Sequence, residues 1–417
     1  MGPVSSSPGL PLAAYRLAWL AAAPVVGWLL RRGARADPEG RYVAERWGRR
    51  WRSDVRGPLW VHCASVGEVT TACPVVRELL GRGRRAVLLT TNTPTGARTV
   101  RRLLGGRVAQ AYLPLDTRRR VAAFLDRFAP AALLVCETEI WPELYHQCHA
   151  RGIPVALFNA RLTPRTLRAP RWVRSLYAEA LRPVRTVLAR TDADAARFRD
   201  LGAVRVRVVG NLKWAWCAPA PAGAPPVDPP YWLGVSTHEG EEVALARIQM
   251  TLPEHAPRLV LMPRHPERGG QIAETLRRAG IPVSRRSLGE PAVGPVHLAD
   301  TLGEAMSFMG HAELVFMGGS LVPAGGHNLL EPARLGLPVV VGPHMEDFAE
   351  ETRALLSAGA VVQVRDAAEA QGVVRGLLAD GPVRAELGRA ARRVVAEHAA
   401  GVVRDYVSAL ERAGVLP

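Results

Sequence analysis

The first half of the chain alternates six strand-like runs with amphipathic segments, and this alternation limits most strongly how it can fold. The runs are short and mostly apolar, and the segments between them, such as 70–82 and 95–104, have helical periodicity. Strands that alternate with helices form parallel sheets with helices on both faces. The runs lie at 59–62, 86–89, 132–135, 155–158, 186–189 and 206–209.

The proline-rich residues 218–230 interrupt this pattern, and they are typical of a stiff exposed linker. Strand-like runs then resume at 232–235, 259–262, 282–284, 314–317, 339–342 and 361–364, and 384–413 is predicted to be helical. A chain of 417 residues exceeds what one core usually serves. We therefore predict an α/β protein of the GT-B architecture, with two Rossmann-like doubly wound domains facing a cleft. Ligands should bind in the loops after the strands.

Among these loops, residues 318–331 carry the most features of a ligand site. Two glycine pairs follow an apolar run there. Glycines let backbone N–H groups approach a ligand, and a helix N-terminus favours negative charge, so the loop predicts a phosphate cradle. Glu331 falls about one turn into the next helix, where its carboxylate could accept hydrogen bonds from a ribose diol. The alternative is a glycine-rich turn between a buried strand and its helix.

Acidic residues follow two runs of the first domain. Glu68 stands after Gly67 near a predicted helix start, where it could act as a general base on a hydroxyl; the alternative is a carboxylate that only complements the helix dipole. Glu137 and Glu139 could orient an acceptor sugar or support cation-like charge, or else cap a helix. Asn159 and Arg161 follow a further run.

Basic residues are further candidates for ligand binding, in the second domain and at the hinge between the two domains. Arg264 directly follows a run and suits phosphate or base recognition, while the turn 300–304 offers backbone N–H groups and a carboxylate to a nucleotide. Lys213 could neutralise a leaving phosphate. We find no GxxxxGK[ST] or HExxH pattern, so we expect no bound metal and a leaving group stabilised by cations and helix dipoles.

The charge balance and the N-terminus indicate an anionic membrane surface as a partner. The formal net charge is +16, which suits phospholipid headgroups or a phosphorylated substrate, and no nucleic-acid-binding signature accompanies it. Residues 17–30 are uncharged, include Trp19 and Trp28 and precede arginines, as in an uncleaved anchor. The alternative is a buried helix of the first domain. The five cysteines form no CxxC pair and indicate reduced core residues.

Nine segments stand in the order found in bacterial 3-deoxy-D-manno-octulosonic acid (Kdo) transferases, and the chain resembles that family from its N-terminus to about Phe348. The segments are HCASVGEV, TTNTPTGA, CETEIWPEL, NARL, GNLKW, STHEGEE, PRHPER, DTLGE and GGSLVPAGGHNLLEPA. It departs from the usual pattern at Leu329, where proline is frequent, at Cys63, where alanine is frequent, and in the acids of 342–348.

The resemblance implies an inverting GT-B enzyme at the cytoplasmic face of the inner membrane. Such an enzyme moves Kdo from CMP-Kdo to a phosphorylated lipid A precursor of the lipid IVA type, in lipopolysaccharide biosynthesis. The general base falls on Glu68, and Glu137, Glu139 and Lys213 take supporting roles. The residues expected to bind CMP-Kdo are Pro263, Arg264, Leu302, Gly303, Glu304, Gly318, Gly319, Ser320, Asn328, Leu329, Leu330 and Glu331.

With these roles, the chain divides into an anchoring segment at 1–36 and an acceptor-binding domain at 37–215. A linker at 216–230 leads to a CMP-sugar-binding domain at 231–385, and helices at 386–417 are expected to pack back on the first domain. Two rival hypotheses are a soluble nucleotide-sugar epimerase on the same scaffold and a non-catalytic nucleotide sensor at the membrane. The apolar N-terminus disfavours the first, and the Glu68 loop disfavours the second.

Overall fold

The computed structural model of the protein describes residues 9–34, 37, 39–215 and 224–416. The sequence interpretations that concern 1–8, 35–36 and 216–223 lie outside these residues, as does Cys217. The chain divides into two compact units, of which the first comprises 1–217 with 399–417 and the second comprises 218–398. Residues 381–398 of the last helix belong to the second unit, which thus extends beyond the boundary at 385 expected from sequence. Arg392 of this stretch donates to the Leu335 carbonyl.

The first unit contains a seven-stranded sheet in which every paired strand is parallel. Its spatial order is β3-β2-β1-β4-β5-β6-β7. The strands are β1 (Leu59–His62), β2 (Val87–Thr91), β3 (Ala109–Tyr112), β4 (Ala132–Cys136), β5 (Val155–Ala160), β6 (Thr186–Ala189) and β7 (Val206–Val208).

The second unit repeats this plan with seven parallel strands in the order β10-β11-β9-β8-β12-β13-β14. The strands are β8 (Tyr231–Thr237), β9 (Arg258–Pro263), β10 (Val283–Arg285), β11 (Val296–Leu298), β12 (Val315–Met317), β13 (Val339–Val341) and β14 (Val362–Gln363). The predicted α/β class with two doubly wound sheets is confirmed. Only β3 and β11 were not predicted, because both are short and carry a polar side chain among their apolar ones.

Helices lie between the strands and extend to both ends of the described chain. They are α1 (Leu10–Gly33), α2 (Tyr42–Arg46), α3 (Val66–Gly81), α4 (Pro94–Leu104), α5 (Arg118–Phe128), α6 (Pro142–Ala150), α7 (Pro164–Leu167), α8 (Arg171–Leu181), α9 (Asp192–Asp200), α10 (Glu241–Met250), α11 (Gly269–Arg278), α12 (Ala305–Met309), α13 (Leu330–Leu335), α14 (Ala349–Ser357), α15 (Ala367–Ala379) and α16 (Gly381–Arg412). Short 3₁₀ turns include Leu212–Ala215 and Glu346–Phe348.

Both faces of the first sheet are buried, because successive side chains along a strand point to opposite faces. Val61 belongs to the apolar cluster beneath α3, whereas Trp60 belongs to the cluster on the other face, with Phe124 and Phe128 of α5. The end of α16 joins the first of these clusters, and the Tyr406 hydroxyl donates to the Gly210 carbonyl over 2.7 Å. Helices therefore hold the sheet on both sides and leave its carboxyl edge to the loops.

Candidate active site

In the first unit, strand β1 lies between β2 and β4, and the strand order reverses direction at β1 and β4. His62, the last residue of β1, is level with Thr90 of β2 and with Val135 of β4. Open parallel sheets bind ligands beyond the strand ends at such a switch point. The loops that leave β1 and β4 carry Glu68 and the pair Glu137 and Glu139, so the fold brings the predicted acids of this unit to one edge.

Glu68 lies in the first turn of α3 and is bonded to the loop that precedes it. Its carboxylate accepts the Ala64 N–H over 2.7 Å and the Ser65 hydroxyl over 3.1 Å, while Ser65 Oγ caps the helix by accepting the Glu68 N–H. These bonds resemble a capping box, so part of the role of Glu68 is to stabilise the start of α3, which was the alternative interpretation from sequence. Burial raises the pKa of Glu68 to about 8; the Ala64 bond opposes this shift, and the charges of Glu139 and Glu137 reinforce it.

Glu139 is held in a polar network that spans the ends of three strands. Asn92 Nδ2 donates to its carboxylate over 3.3 Å, and His62 Nε2 lies 3.7 Å from the same oxygen. Asn92 also accepts the Arg46 guanidinium over 2.6 Å. Burial raises the pKa of Glu139, but the interactions with His62 and Arg46 outweigh it and the net shift is downward. The switch point thus combines a carboxyl group whose pKa is raised, that of Glu68, with one whose pKa is lowered, that of Glu139.

Backbone conformation and hydrogen bonds to the backbone fix the positions of the other predicted residues of the first unit, Glu137, Asn159 and Lys213. Glu137 follows β4 with φ +60°, a left-handed conformation that costs a non-glycine residue energy. Asn159 also has a positive φ, and its side chain accepts the Leu212 N–H over 3.0 Å. This bond fixes the 3₁₀ turn that carries Lys213 against α3, the helix that begins beside Glu68. The fold therefore brings the turn that carries Lys213 to α3, although the two are far apart in sequence.

In the second unit, the switch point lies between β8 and β12, and Gly318 and Gly319 follow β12. A Cβ on Gly318 would lie 2.6 Å from the Ser236 carbonyl oxygen, and Gly319 has φ +68°. Glycine is needed at the first position for close packing of two backbones and at the second for its conformation.

The backbone N–H groups of this loop are bonded inside the protein. Glu241, which is fully buried, accepts the N–H groups of Gly319, Ser320 and Leu321 over 2.7 to 3.0 Å, and also that of His238 over 2.8 Å. The Ser320 hydroxyl donates to the Met317 carbonyl and accepts the Gly342 N–H.

These contacts correct the interpretation of Gly318, Gly319 and Ser320 as a phosphate cradle. The protein's own carboxylate takes the position that a phosphate was expected to occupy, so these residues build the loop. The sequence signal for Glu241 is the acidic start of α10 in the segment STHEGEE.

Two histidines that received no role from sequence meet beside this loop. His238 Nε2 lies 2.8 Å from His327 Nε2, and the ring planes differ by 13°. Arg264 follows Pro263 at the end of the neighbouring strand β9, with its N–H bonded to the Thr237 carbonyl and its side chain exposed. Burial, together with the neighbouring His238 and Arg264, lowers the pKa of His327 to about 4. This edge therefore presents a histidine pair and the exposed Arg264 side chain.

The turn after β11 and the start of α13 carry the other predicted donor residues. Arg286 binds the Glu304 carboxylate in a bidentate ion pair of 2.6 and 2.7 Å. Gly303 has φ +86°, and Leu302 is 84% exposed.

At α13, Asn328 Nδ2 donates to Glu331 over 3.0 Å. Burial raises the pKa of Glu331 to about 7, and the Asn328 bond opposes the shift. The side chains of Leu329 and Leu330 are buried, so only their backbone can face a ligand.

Within the part of the chain that the structure describes, no three His, Cys, Asp or Glu residues are grouped in a way that could hold a metal ion. The expectation of metal-free chemistry stays a prediction.

The sequence of this chain is similar to a known protein family and to individual proteins of known activity. A family model described as 3-deoxy-D-manno-octulosonic-acid transferase (kdotransferase) matches residues 41–216. The 3-deoxy-D-manno-octulosonic acid transferase of Bordetella pertussis is 37% identical over 95% of this chain and 98% of its own length. That of Haemophilus influenzae is 33% identical over 87% of this chain and 89% of its own length.

A crystal structure of a putative UDP-N-acetylglucosamine 2-epimerase from Listeria monocytogenes matches with a TM-score of 0.59 at 14% identity, over 86% of this chain and 97% of that one. At this identity the likeness shows the fold alone, and the epimerase hypothesis has no support beyond it. The two transferases, in contrast, cover most of this chain at 33% identity or more. This chain therefore belongs to the 3-deoxy-D-manno-octulosonic acid transferase family of glycosyltransferases.

Proposed function

We propose that this glycosyltransferase moves Kdo from CMP-Kdo to a sugar hydroxyl of a phosphorylated lipid A precursor, with inversion, in lipopolysaccharide biosynthesis. The observation that carries the proposal is the Glu68 carboxylate at the β1–β4 switch point. Family membership supports the transferred sugar, and the exposed Arg264 side chain at the edge of the second unit supports an anionic donor.

The reaction is a single displacement. Glu68 takes the proton of the acceptor hydroxyl, and the oxygen forms a bond to the anomeric carbon of Kdo. The bond from that carbon to the CMP phosphate oxygen breaks, and CMP leaves with the electron pair. A carboxylate with a pKa near 8 is a stronger base than an ordinary glutamate and suits proton removal near neutral pH. Glu137, Glu139 and Lys213 support charge in this step.

The donor is held by the second unit. Pro263 and Arg264 contact the phosphate, and Glu331 accepts the ribose hydroxyls. Leu302, Gly303, Glu304, Asn328, Leu329 and Leu330 complete the site through backbone and polar contacts. No metal takes part in the proposal, because arginine and lysine can stabilise the leaving phosphate.

The test replaces the proposed base without changing its shape. Glu68→Gln should lower kcat by about 10²- to 10⁴-fold, the usual contribution of a general base, while calorimetry shows unchanged affinity for CMP. Glu78→Gln is the matched control, since Glu78 is an exposed acid of the same helix. Transfer at the wild-type rate by a folded Glu68→Gln protein would refute the assignment. Mass analysis of the wild-type product from CMP-Kdo and the lipid A precursor gives the number of sugars added.

Helix α1 is the one described helix long and apolar enough to cross a bilayer, but its side chains favour a position along the surface. Tyr15 donates to the buried Asp116 over 2.9 Å, and Arg16 forms an ion pair of 2.7 Å with the buried Glu143. A spanning helix would have to break both contacts.

The outward face of α1 carries a stripe of exposed apolar residues followed by arginines. The exposed residues are Leu10, Leu17, Leu20, Val25, Trp28 and Leu29. We propose that this stripe lies on the anionic cytoplasmic surface of the inner membrane.

Vesicle flotation tests this arrangement. Leu17→Asp with Leu20→Asp should release the protein from anionic vesicles, whereas Val204→Asp, on an exposed site elsewhere in the first unit, should not. Retention of the double variant on the vesicles would contradict a surface-bound stripe.

A further inference from the structure

A groove in the first unit adjoins the candidate active site and has no role in the reaction as described so far. It encloses about 500 Å³ and is lined by aromatic and apolar side chains, including Tyr15, Trp141, Trp172, Leu176 and Tyr177. We call it the aromatic groove. Ligand sites of this size usually combine an apolar lining with a few polar groups.

One end of the aromatic groove is polar and reaches the switch point. Thr138 and Glu139 line that end, and Glu139 is the acid that the Asn92 and His62 network holds. A molecule in the groove would therefore lie beside the acids proposed for catalysis. Thr138 itself is tied to the Arg161 carbonyl through its hydroxyl, which fixes this end of the groove.

The other wall of the aromatic groove belongs to α1. Tyr15 lines the groove and is anchored by its bond to Asp116, and Leu17, two residues later, belongs to the outward apolar stripe. The same helix thus separates the groove from the proposed membrane surface. A lipid that bends out of the bilayer around α1 would meet this groove before it meets Glu139.

Among the residues that line the aromatic groove, Trp172 is a large aromatic residue with an exposed side chain. It is 60% exposed on α8, so the core of the first unit does not require it. Exposed large aromatic side chains that line a groove mark binding sites more often than isolated apolar residues do.

Four arginines surround Trp172 in the chain. Arg165, Arg168, Arg171 and Arg174 are all exposed, and within the part of the chain that the structure describes none of their side chains has a recorded acidic partner. Residues 161–174 contain no acid. Uncompensated arginines beside an aromatic groove suit a ligand with an anionic head and an apolar tail.

We propose that the aromatic groove binds a fatty acyl chain of the lipid acceptor, while the arginines around Trp172 hold a phosphate of its head. This inference rests on the proposed function and adds to it the part of the enzyme that recognises the acceptor as a lipid. It also explains why the groove connects the membrane-facing helix with Glu139.

The kinetic test compares two acceptors that share a head. Wild type and Trp172→Ala are assayed with the lipid A precursor and with the same phosphorylated disaccharide after chemical deacylation. Trp172→Ala should raise KM for the acylated acceptor about tenfold, roughly the effect of losing one large apolar contact, and change KM for the deacylated acceptor and for CMP-Kdo much less. An equal change for both acceptors, or none, would overturn the inference.

Two further variants complete the kinetic experiment. Val173→Trp, which fills the groove from its lining, should reproduce the loss with the acylated acceptor. Val204→Ala, an exposed site elsewhere in the first unit, is the control and should leave all three constants unchanged.

A second measurement does not depend on turnover. A lipid A precursor with a photoreactive acyl terminus is crosslinked to the whole protein, and the labelled peptides are identified by mass spectrometry. Labels within 138–142 and 166–177 support the inference. Labels confined to 17–29 would overturn it, as would equal labelling of the groove by a photoreactive phospholipid. If the wild type binds the probe in the groove but transfers no Kdo, the proposed function fails and the groove assignment stands.

Discussion

The Nε2 atoms of His238 and His327 lie 2.8 Å apart in nearly parallel rings. A contact between two ring nitrogens needs one nitrogen with a proton and one without, so the pair cannot keep this geometry when both rings are charged. Arg264 and Arg268 add positive charge around it, and Glu241 and Asp347 are the acids that act on the pair. At neutral pH both imidazoles are therefore uncharged.

This pairing predicts a loss of stability in acid. The pKa of His327 is about 4 in the folded protein and about 6.5 for an unperturbed histidine, so the unfolded chain binds more protons between these pH values. Stability falls as pH drops through that window, by about 1 kcal/mol at pH 5 after allowance for solvent screening of the partly exposed ring, or a few degrees in Tm. Thermal unfolding of His327→Gln should show a smaller Tm change between pH 7.5 and 5 than the wild type. The same change in both proteins would disprove the pairing.

The raised pKa of Glu68 predicts the pH dependence of transfer. A general base must be ionised, so kcat/KM should rise about tenfold per pH unit below pH 8 and level off above it. Glu139→Gln removes a neighbouring negative charge that raises this pKa, so the inflection should move to lower pH even if the rate falls. Asp126→Asn, at an exposed acid of α5, serves as the control. An inflection that stays near 8 in Glu139→Gln would show that the two carboxylates do not interact.

Glu241 should be essential to the loop after β12. A glutamine offers one acceptor oxygen where the carboxylate serves four N–H groups, and its amide nitrogen would face two of them. Buried donors left without partners cost about 1 to 3 kcal/mol each, so Glu241→Gln should lower the free energy of unfolding by about 2 to 5 kcal/mol. Chemical denaturation measures the loss, with the exposed Glu239→Gln as its neighbour control. Equal stability of the two variants would contradict the role given to Glu241.

Glu331 should make CMP binding depend on pH. Its pKa of about 7 means that it carries a proton in mild acid, and a carboxylate must be ionised to accept hydrogen bonds from both ribose hydroxyls. Affinity for CMP should therefore rise as pH increases from 6 to 8. Glu331→Gln should bind CMP more weakly and lose this rise, as titration calorimetry would show. A Glu331→Gln protein with the wild-type pH profile would remove Glu331 from the ribose site.

The linear pattern of residues was enough to predict the two sheets and the edge at which the polar residues lie. Runs such as 59–62 and 132–135 are apolar because both faces of each strand are covered, so their limits were visible without the structure. The strands β3 and β11 were not predicted, because the polar residues Gln110 and His297 interrupt apolar runs that are already short.

Bond partners could not be predicted, because they depend on residues distant in the chain. Glu241 stands 78 residues before Gly319, and nothing in the local sequence shows that its carboxylate fills the loop that glycines seemed to leave for a phosphate. His238 and His327 are 89 residues apart and meet only because β8 and β12 are neighbours in the sheet.

The sequence by itself determined the fold class, the family and the position of Glu68 at a helix start, since these follow from periodicity and from ordered motifs. Only the tertiary structure decided which groups surround that carboxylate. Burial and the charges at the end of β4 raise its pKa, and both arise when strands far apart in sequence pair side by side. Folding likewise bonds the Gly319 and Ser320 amides to a buried acid, so charge and hydrogen-bonding capacity at this site follow from packing and not from residue type alone.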